Sequence, residues 1–185
     1  MNKRIASFAL IGFCIISHGA FCQDSPGSLH ASALQGNQSA HLIENLEARI
    51  DSAKTATLYI APAGWFFLTA LSEESLKING CKYETDDPVK IINIINIIKK
   101  SNPRITSTLP SDFEPRESIY LDLINGGRVG FLLDLIDEKE NKVGGLMDGQ
   151  SIKAEPRILG DLYQWAEDLP PVKKCANYIE KYKNK

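Results

Sequence analysis

The fold is decided by residues 118–137, SIYLDLINGGRVGFLLDLID, which predict a β-hairpin. Apolar residues alternate with other residues on both sides of a glycine-rich turn, as in two strands that each bury one face. The alternating apolar positions are Ile119, Leu121 and Leu123 before the turn and Val129, Phe131, Leu133 and Leu135 after it. All are odd-numbered, so they share a face only when the connection holds an odd number of residues, which a turn at Asn125-Gly126-Gly127 supplies. This register places Asp122 opposite Gly130.

The opposite face of the hairpin carries both acidic and apolar side chains. Its members are Tyr120, Asp122, Ile124, Leu132, Asp134 and Ile136. In the predicted register Asp122 and Asp134 lie about 13 Å apart, further than the carboxylate pairs of glycosidases. We therefore interpret both as solvent-facing charges. The apolar side chains of this face are covered by an N-terminal helix or by Trp65–Phe67, or else they form a docking surface that also carries the two acidic residues.

A helix rich in isoleucine is the clearest helical segment. It begins at Asp86 or Asp87, with Pro88 at the favoured first position, and ends before Pro103. At helical spacing its apolar arc consists of Ile91, Ile92, Ile94, Ile95 and Ile98, opposite a solvated face of Lys90, Asn93, Asn96 and Lys100. An arc this broad indicates a helix that packs on a sheet.

The remaining segments predict an α+β domain around the hairpin and this helix. The further elements are a helix from Ser39, strands over Thr55–Ala61 and Cys81–Thr85, a short helix from Ser72 to Gly80, a third hairpin strand over Lys142–Ala154, and helices from Glu155 and from Val172. The predicted architecture is an antiparallel sheet, made of a three-strand meander and one or two earlier strands. The isoleucine helix and the C-terminal helices pack on one face of that sheet.

The first residues predict export. Lys3 and Arg4 precede the apolar stretch Ile5–Ile16, and small residues follow at Ser17, Gly19 and Ala20, as in a secretory signal peptide. Cleavage fits after Gly19 or after Cys22, and Phe21 stands where a lipoprotein signal needs a small residue. We predict a signal peptide over 1–23, a flexible lead-in over 24–40 and one domain over 41–185, located in the periplasm without a membrane anchor.

Export makes a disulfide the expected state of the cysteines that remain. Cys14 leaves with the signal peptide and Cys22 sits at the cleavage zone, so Cys81 and Cys175 are the pair certain to be retained. The chain-entropy model gives this long-range bond roughly 4 to 5 kcal/mol. A redox-active cysteine is the weaker alternative, since the chain has no C-x-x-C motif.

Charge and composition exclude several classes of function. The formal net charge of −2 becomes −4 when Lys3 and Arg4 are removed, which argues against nucleic acid and anionic membranes as partners. There is no histidine from Thr55 to Lys185, so the common triads and zinc sites are missing. The sequence also lacks nucleophile-elbow, phosphate-loop and EF-hand motifs. We therefore predict no catalytic residue, metal or cofactor.

In general build the chain resembles the small periplasmic immunity proteins with which bacteria neutralise antibacterial effectors. It shares with them an exported, acidic single domain, a long-range disulfide and the lack of catalytic motifs. The resemblance implies a monomer or homodimer that occludes a protein partner. The predicted contact residues are Trp65, Phe66 and Phe67 after the first strand, Asp112, Phe113, Glu114 and Arg116 before the hairpin, and Tyr120, Asp122 and Asp134 on it. The alternative is a cell-envelope enzyme that uses carboxylates.

Overall fold

The structure, a computed structural model, describes residues 44–45, 48–62, 70–109 and 112–172. Within these residues, seven strands form one antiparallel sheet in the order β2-β1-β4-β5-β6-β7-β3. The strands are β1 (Ala53–Ile60), β2 (Cys81–Thr85), β3 (Arg104–Ile105), β4 (Glu117–Leu123), β5 (Arg128–Asp137), β6 (Lys142–Met147) and β7 (Gln150–Ala154), and the helices are α1 (Glu73–Asn79), α2 (Pro88–Lys100) and α3 (Arg157–Glu167). The predicted α+β class is confirmed. None of these helices is long and apolar enough to cross a bilayer.

The main hydrophobic core lies between one face of this sheet and the helices α2 and α3. In the central pair, Ile119 lies opposite Phe131 and Leu121 opposite Val129, and all four side chains are buried. The helices contribute Ile91, Ile94, Ile95 and Ile98 from α2, and Ile158, Leu162, Trp165 and Ala166 from α3. This is the layer arrangement that the apolar patterns predicted, with both helices on the same side.

The turn between β4 and β5 differs from the predicted turn by one position. Asp122 lies opposite Arg128 and not opposite Gly130, which instead faces Tyr120. The turn residues are 124–126, closed by hydrogen bonds from the Leu123 amide to the Gly127 carbonyl (2.8 Å) and from the Gly126 amide to the Leu123 carbonyl (3.0 Å). A turn that moves by one position changes the cross-strand register by two residues. Each side chain therefore stays on its predicted face of the sheet, although its predicted cross-strand partner is wrong.

Leu135 is the exception to the predicted apolar face. It is 53% exposed, whereas Leu133 is fully buried. The pairing of β5 with β6 shifts between Leu133 and Ile136, and such a bulge interrupts the alternation of side chains between the two faces. The assignment of Leu135 to the core was therefore wrong.

The predicted third strand over Lys142–Ala154 is two strands, β6 and β7. They meet at Asp148-Gly149, where Met147 pairs with Gln150. Both turn residues have positive φ, 47° at Asp148 and 81° at Gly149, which is the type I′ geometry that Asp-Gly favours. β7 in turn pairs with β3, a strand that the sequence pattern did not reveal.

Helices α1 and α2 begin where their capping residues predicted. Ser72 Oγ accepts a hydrogen bond from the Ser75 amide (3.1 Å), and Asp87 Oδ1 accepts one from the Val89 amide (2.8 Å). The buried arc of α2 is narrower than predicted, because Ile92 is 56% exposed. α1 packs on the second face of the sheet, the face opposite the main core, where Leu76 contacts Tyr59.

The C-terminal part of the described chain is tied to α2 and β2. The Trp165 indole donates to the Lys90 carbonyl (2.8 Å), and Lys90 forms an ion pair with Asp168. Four residues later the Val172 amide donates to the Lys82 carbonyl (2.8 Å), on the outer edge of β2. The helix predicted from Val172 onward and most of the helix predicted from Ser39 lie outside the described residues.

Cys81, at the start of β2, is fully buried and disulfide-bonded. Its predicted partner Cys175 lies outside the described residues, so the pairing stays a prediction. The hydrogen bond from Val172 to Lys82 supports it, because it brings the chain beside β2 only three residues before Cys175.

We expect Cys175→Ser to lower the free energy of unfolding by roughly 3 to 5 kcal/mol, because the substitution removes a cross-link across nearly the whole domain. Urea denaturation of the oxidised mature protein measures this difference. As a control, reduced wild-type protein should unfold at the midpoint of the variant. A variant that unfolds at the midpoint of oxidised wild type would show that Cys81 pairs with another cysteine.

Candidate functional site

The second face of the sheet carries an open groove of about 330 Å³, which we call the Tyr120 groove. It runs from α1, across β4, β5 and β6, to the turn between β6 and β7. Its lining residues are Glu73, Tyr120, Arg128, Gly130, Leu132, Leu146, Asp148 and Gly149. The sequence had placed Tyr120 and Leu132 on this face, and the structure brings them into one depression.

Tyr120 is the most constrained side chain of the groove. Only 6% of it is exposed, its ring meets that of Tyr59 edge to face with centroids 6.0 Å apart, and its hydroxyl donates to Glu73 Oε1 (2.6 Å). Burial and the bond to Glu73 raise the pKa of Tyr120. The side chain of its cross-strand neighbour is only a hydrogen, at Gly130, and a Cβ there would lie 3.4 Å from the Tyr120 ring.

Two cationic side chains, those of Lys77 and Arg128, contact the Tyr120 ring. Lys77 Nζ is 4.3 Å from the ring centroid, and Arg128 Cζ is 5.4 Å from it. These are cation–π distances, at which the ring quadrupole attracts the charge. Tyr120, predicted as a partner contact, is therefore fixed in place by contacts with two charged side chains.

Three ion pairs form the rim of the Tyr120 groove. Lys77 donates to Glu73 (2.5 Å), Arg128 Nε donates to Asp122 Oδ1 (2.6 Å), and Arg49 Nη1 donates to Asp148 Oδ2 (2.9 Å). The Lys77 and Arg128 bonds lower the pKa of Glu73 and of Asp122, respectively. Surface ion pairs contribute little to stability. Here, however, each of the three rim carboxylates is neutralised by a cation, and the pairing fixes the orientation of both side chains.

The floor of the Tyr120 groove is apolar. Leu132 and Leu146 are directly opposite on β5 and β6, and both are half-buried. Asp148 supports the far wall, since its Oδ1 accepts the Gly130 amide (2.8 Å) and so ties the β6–β7 turn to β5. The result is an apolar patch with a balanced, hydrogen-bonded rim.

The loop before the hairpin, predicted as a contact loop, is held mainly by bonds within the protein. Glu114 Oε1 accepts the Leu71 amide (2.8 Å) and its Oε2 pairs with Arg116 (2.6 Å), while its amide donates to Asp134 Oδ2 (3.2 Å). Burial raises the pKa of Asp134. Of the predicted loop residues, Asp112 is exposed and Phe113 half-buried. Trp65, Phe66 and Phe67 lie outside the described residues.

Asp122 and Asp134 do not come together. With Asp122 opposite Arg128, the two aspartates are separated by six residues along the sheet, about 20 Å, which is further than the predicted register gave. Asp122 is bound to Arg128 and Asp134 to two backbone amides. Their geometry does not suit joint catalysis on one bond.

A different carboxyl group, that of Glu117 on β4, occupies the core. It is 0% exposed, its Oε1 accepts the Tyr163 hydroxyl of α3, and its Oε2 has no hydrogen-bond partner in the part of the chain that the structure describes. Burial, and to a lesser extent the charge of Asp134, raises the pKa of Glu117 to about 8, against the opposing effects of Tyr163 and Arg116. Glu117 is therefore mainly protonated at pH 7 and is closed off from solvent.

Sequence reasoning missed Glu73, Arg128, Leu146 and Asp148 as parts of one site. Glu73 and Asp148 belong to pairs that are distant along the chain, Tyr120 with Glu73 and Arg49 with Asp148. Arg128 contacts Asp122 and Tyr120 through a β4–β5 register that differs from the predicted one. The one available signal was Asp148-Gly149, whose composition is that of a type I′ turn. A turn there makes β6 and β7 a hairpin and brings Leu146 beside Leu132.

Comparison of the chain with protein-family models, with curated proteins and with solved structures found no match. Among the described residues, no group of three or more His, Cys, Asp or Glu side chains is arranged to hold a metal ion.

We expect the stability of the wild-type protein to fall as the pH rises from about 5 to 8, by up to about 1.4 kcal/mol per pH unit. The pKa of Glu117 is near 4.5 in the unfolded chain and about 8 in the fold, so the folded state binds the extra proton in this interval. Above the folded pKa the loss is complete. Urea denaturation at several pH values measures the slope.

Glu117→Gln is the matched control for this pH dependence, because its amide keeps the acceptor for Tyr163 and does not titrate. We expect the variant to lack the slope that Glu117 contributes. Identical pH profiles for the variant and wild type would show that Glu117 does not carry the effect. From Thr55 onward the sequence has no imidazole to titrate in this interval, and the two histidines just before it, His30 and His41, are the same in both proteins.

Proposed function

We propose that this protein is an exported binding protein that neutralises a protein partner by occluding it, as an immunity protein does. We further propose that the Tyr120 groove receives an apolar side chain of that partner. The observation that carries the proposal is the apolar floor of Leu132 and Leu146 inside a rim of three internal ion pairs.

The size of the Tyr120 groove favours a side chain over a metabolite. At about 330 Å³ it lies at the lower limit of ligand pockets, which span roughly 300 to 1,000 Å³. A single large side chain of a partner, inserted from above, fits such a depression. Its burial against Leu132 and Leu146 supplies the apolar area from which interfaces draw most of their affinity.

The charge balance of the rim favours an uncharged occupant. Glu73, Asp122 and Asp148 each have a cation within hydrogen-bond distance, so a charged ligand must displace an internal partner before it binds. Paired polar side chains around an apolar centre exclude water from it, which is the usual arrangement around interface hot spots.

Tyr120 and Arg128 give the site rigid anchors of the kind enriched in interfaces. Arg128 is 58% exposed in its side chain and is oriented by Asp122 and the Tyr120 ring. Because these side chains are already ordered, binding costs less conformational entropy. The exposed Asp112 and half-buried Phe113, with Trp65–Phe67, complete the proposed contact set outside the groove.

The periplasm is the proposed location, because residues 1–23 have the pattern of a signal peptide. The carboxylate enzyme, the alternative hypothesis, gains no support from the described residues. Asp122 and Asp134 are far apart on the sheet, and Glu117 is enclosed in the core.

The experiment immobilises residues 24–185 with the disulfide intact and identifies by mass spectrometry what the protein captures from sibling and competitor cell extracts. The affinity of the captured partner is then measured for three proteins: wild type, Leu132→Asp and Leu135→Asp. We expect Leu132→Asp to weaken binding at least about 100-fold, since it places a charge on the groove floor. Raised salt should change wild-type affinity little.

Leu135→Asp is the matched control, because it changes an exposed leucine of the same strand outside the groove. It should alter affinity by less than about threefold. Both variants should melt near wild type. If Leu132→Asp binds the partner as tightly as wild type, the Tyr120 groove is not the binding site. If no protein is captured from any extract, the proposed immunity function is wrong.

A further inference from the structure

We propose that Asn125, in the turn between β4 and β5, is a site of spontaneous deamidation that converts its amide to an aspartate or isoaspartate carboxylate. The chain has two Asn-Gly pairs, at 79–80 and at 125–126. This dipeptide is the most reactive in deamidation because glycine has no Cβ to hinder attack by its amide nitrogen. In the fold, the pair at 125–126 is exposed, whereas Gly80 of the pair at 79–80 is buried.

The backbone around Asn125 is open and its side chain is folded toward the following peptide. Asn125 and Gly126 are exposed, and among the described residues no atom beyond the neighbouring residues lies within 4 Å of a Cβ built on Gly126. The side-chain Oδ1 of Asn125 accepts the Gly127 amide (3.1 Å), so the Asn125 side chain lies alongside Gly126, whose nitrogen is the nucleophile. The Gly126 amide donates to the Leu123 carbonyl (3.0 Å), and this hydrogen bond breaks when the exposed turn opens locally.

The reaction needs only solvent. The Gly126 amide nitrogen loses its proton to hydroxide and attacks the Asn125 Cγ, so that a nitrogen–carbon bond forms and a five-membered succinimide closes. The bond from Cγ to the side-chain nitrogen breaks, and that nitrogen takes up a proton and leaves as ammonia. Water then opens the ring at Cγ to give aspartate, or at the main-chain carbonyl to give isoaspartate. No oxidant or reductant takes part.

Asn79-Gly80 is protected by the end of α1. The Gly80 amide, the nucleophile there, donates to the Leu76 carbonyl (2.7 Å). Gly80 is buried, and a Cβ on it would meet the Leu76 carbonyl oxygen at 2.5 Å and the Ile60 carbonyl oxygen at 3.1 Å. Reaction at Asn79 therefore requires unwinding of the helix end and its separation from β1, whereas reaction at Asn125 requires only local opening of an exposed turn.

Deamidation at Asn125 changes the rim of the Tyr120 groove. It adds a negative charge three residues before Arg128, which already pairs with Asp122, and the isoaspartate form lengthens the turn backbone by one carbon. If the proposed function holds, the modified protein binds its partner more weakly. The chemical reaction itself does not depend on that function.

The test incubates the oxidised mature protein at mildly alkaline pH, once folded and once in urea. Peptide mapping by mass spectrometry follows both Asn-Gly sites, and enzymatic methylation of isoaspartate confirms the product. We expect folded protein to convert Asn125 at least about tenfold faster than Asn79. In urea the two sites should react at similar rates. Asn125→Gln, whose longer side chain closes the ring poorly, should show no conversion at this position.

A smaller ratio in the folded protein, or an Asn125 that stays intact while urea-treated chains convert at both sites, would overturn the proposal. Asn125→Asp, compared with wild type for partner affinity, separates the two ideas: a normal affinity would show that the modification occurs without affecting binding.

Discussion

Two hydrogen bonds close the β4–β5 turn, from the Leu123 amide to the Gly127 carbonyl and from the Gly126 amide to the Leu123 carbonyl, and they control where the side chains of the central sheet point. They set Leu121 opposite Val129 and thereby direct one set of side chains into the core and the other toward the Tyr120 groove. A slip of one residue would exchange the two faces. The core and the Tyr120 groove therefore depend on the same turn, and a change in the register that this turn sets would change both.

The register of the central strands also places one ionisable group, the carboxyl group of Glu117, in the hydrophobic core. Its position in β4 directs a carboxyl group into the core beneath α3, where Tyr163 satisfies one oxygen. The fold tolerates it by keeping it protonated, at the expense of stability in alkaline solution. Asp134, near the same end of the sheet on the other face, is half-buried and bound by backbone amides instead. Two carboxyl groups of one region thus use different means of compensation.

The parts predicted from sequence are those that depend on local pattern. Period-two alternation identified the faces of β4 and β5, and the caps Ser72 and Asp87 located α1 and α2. The pattern could not select between registers that differ by two residues, because both bury the same leucines. The groove escaped prediction for a related reason. The contacts that join its two ends, Tyr120 with Glu73 and Arg49 with Asp148, involve residues far apart along the chain and leave no periodic signal.

The two outer edges of the sheet differ from an ordinary exposed strand. β3, at one edge, has only two residues and follows the buried Pro103. At the other edge, the Lys82 carbonyl of β2 already accepts the Val172 amide. Short or occupied edges offer few free backbone groups to another chain. The edges of this sheet therefore guard the folded chain against strand-to-strand aggregation with other copies of itself or with unfolded polypeptides.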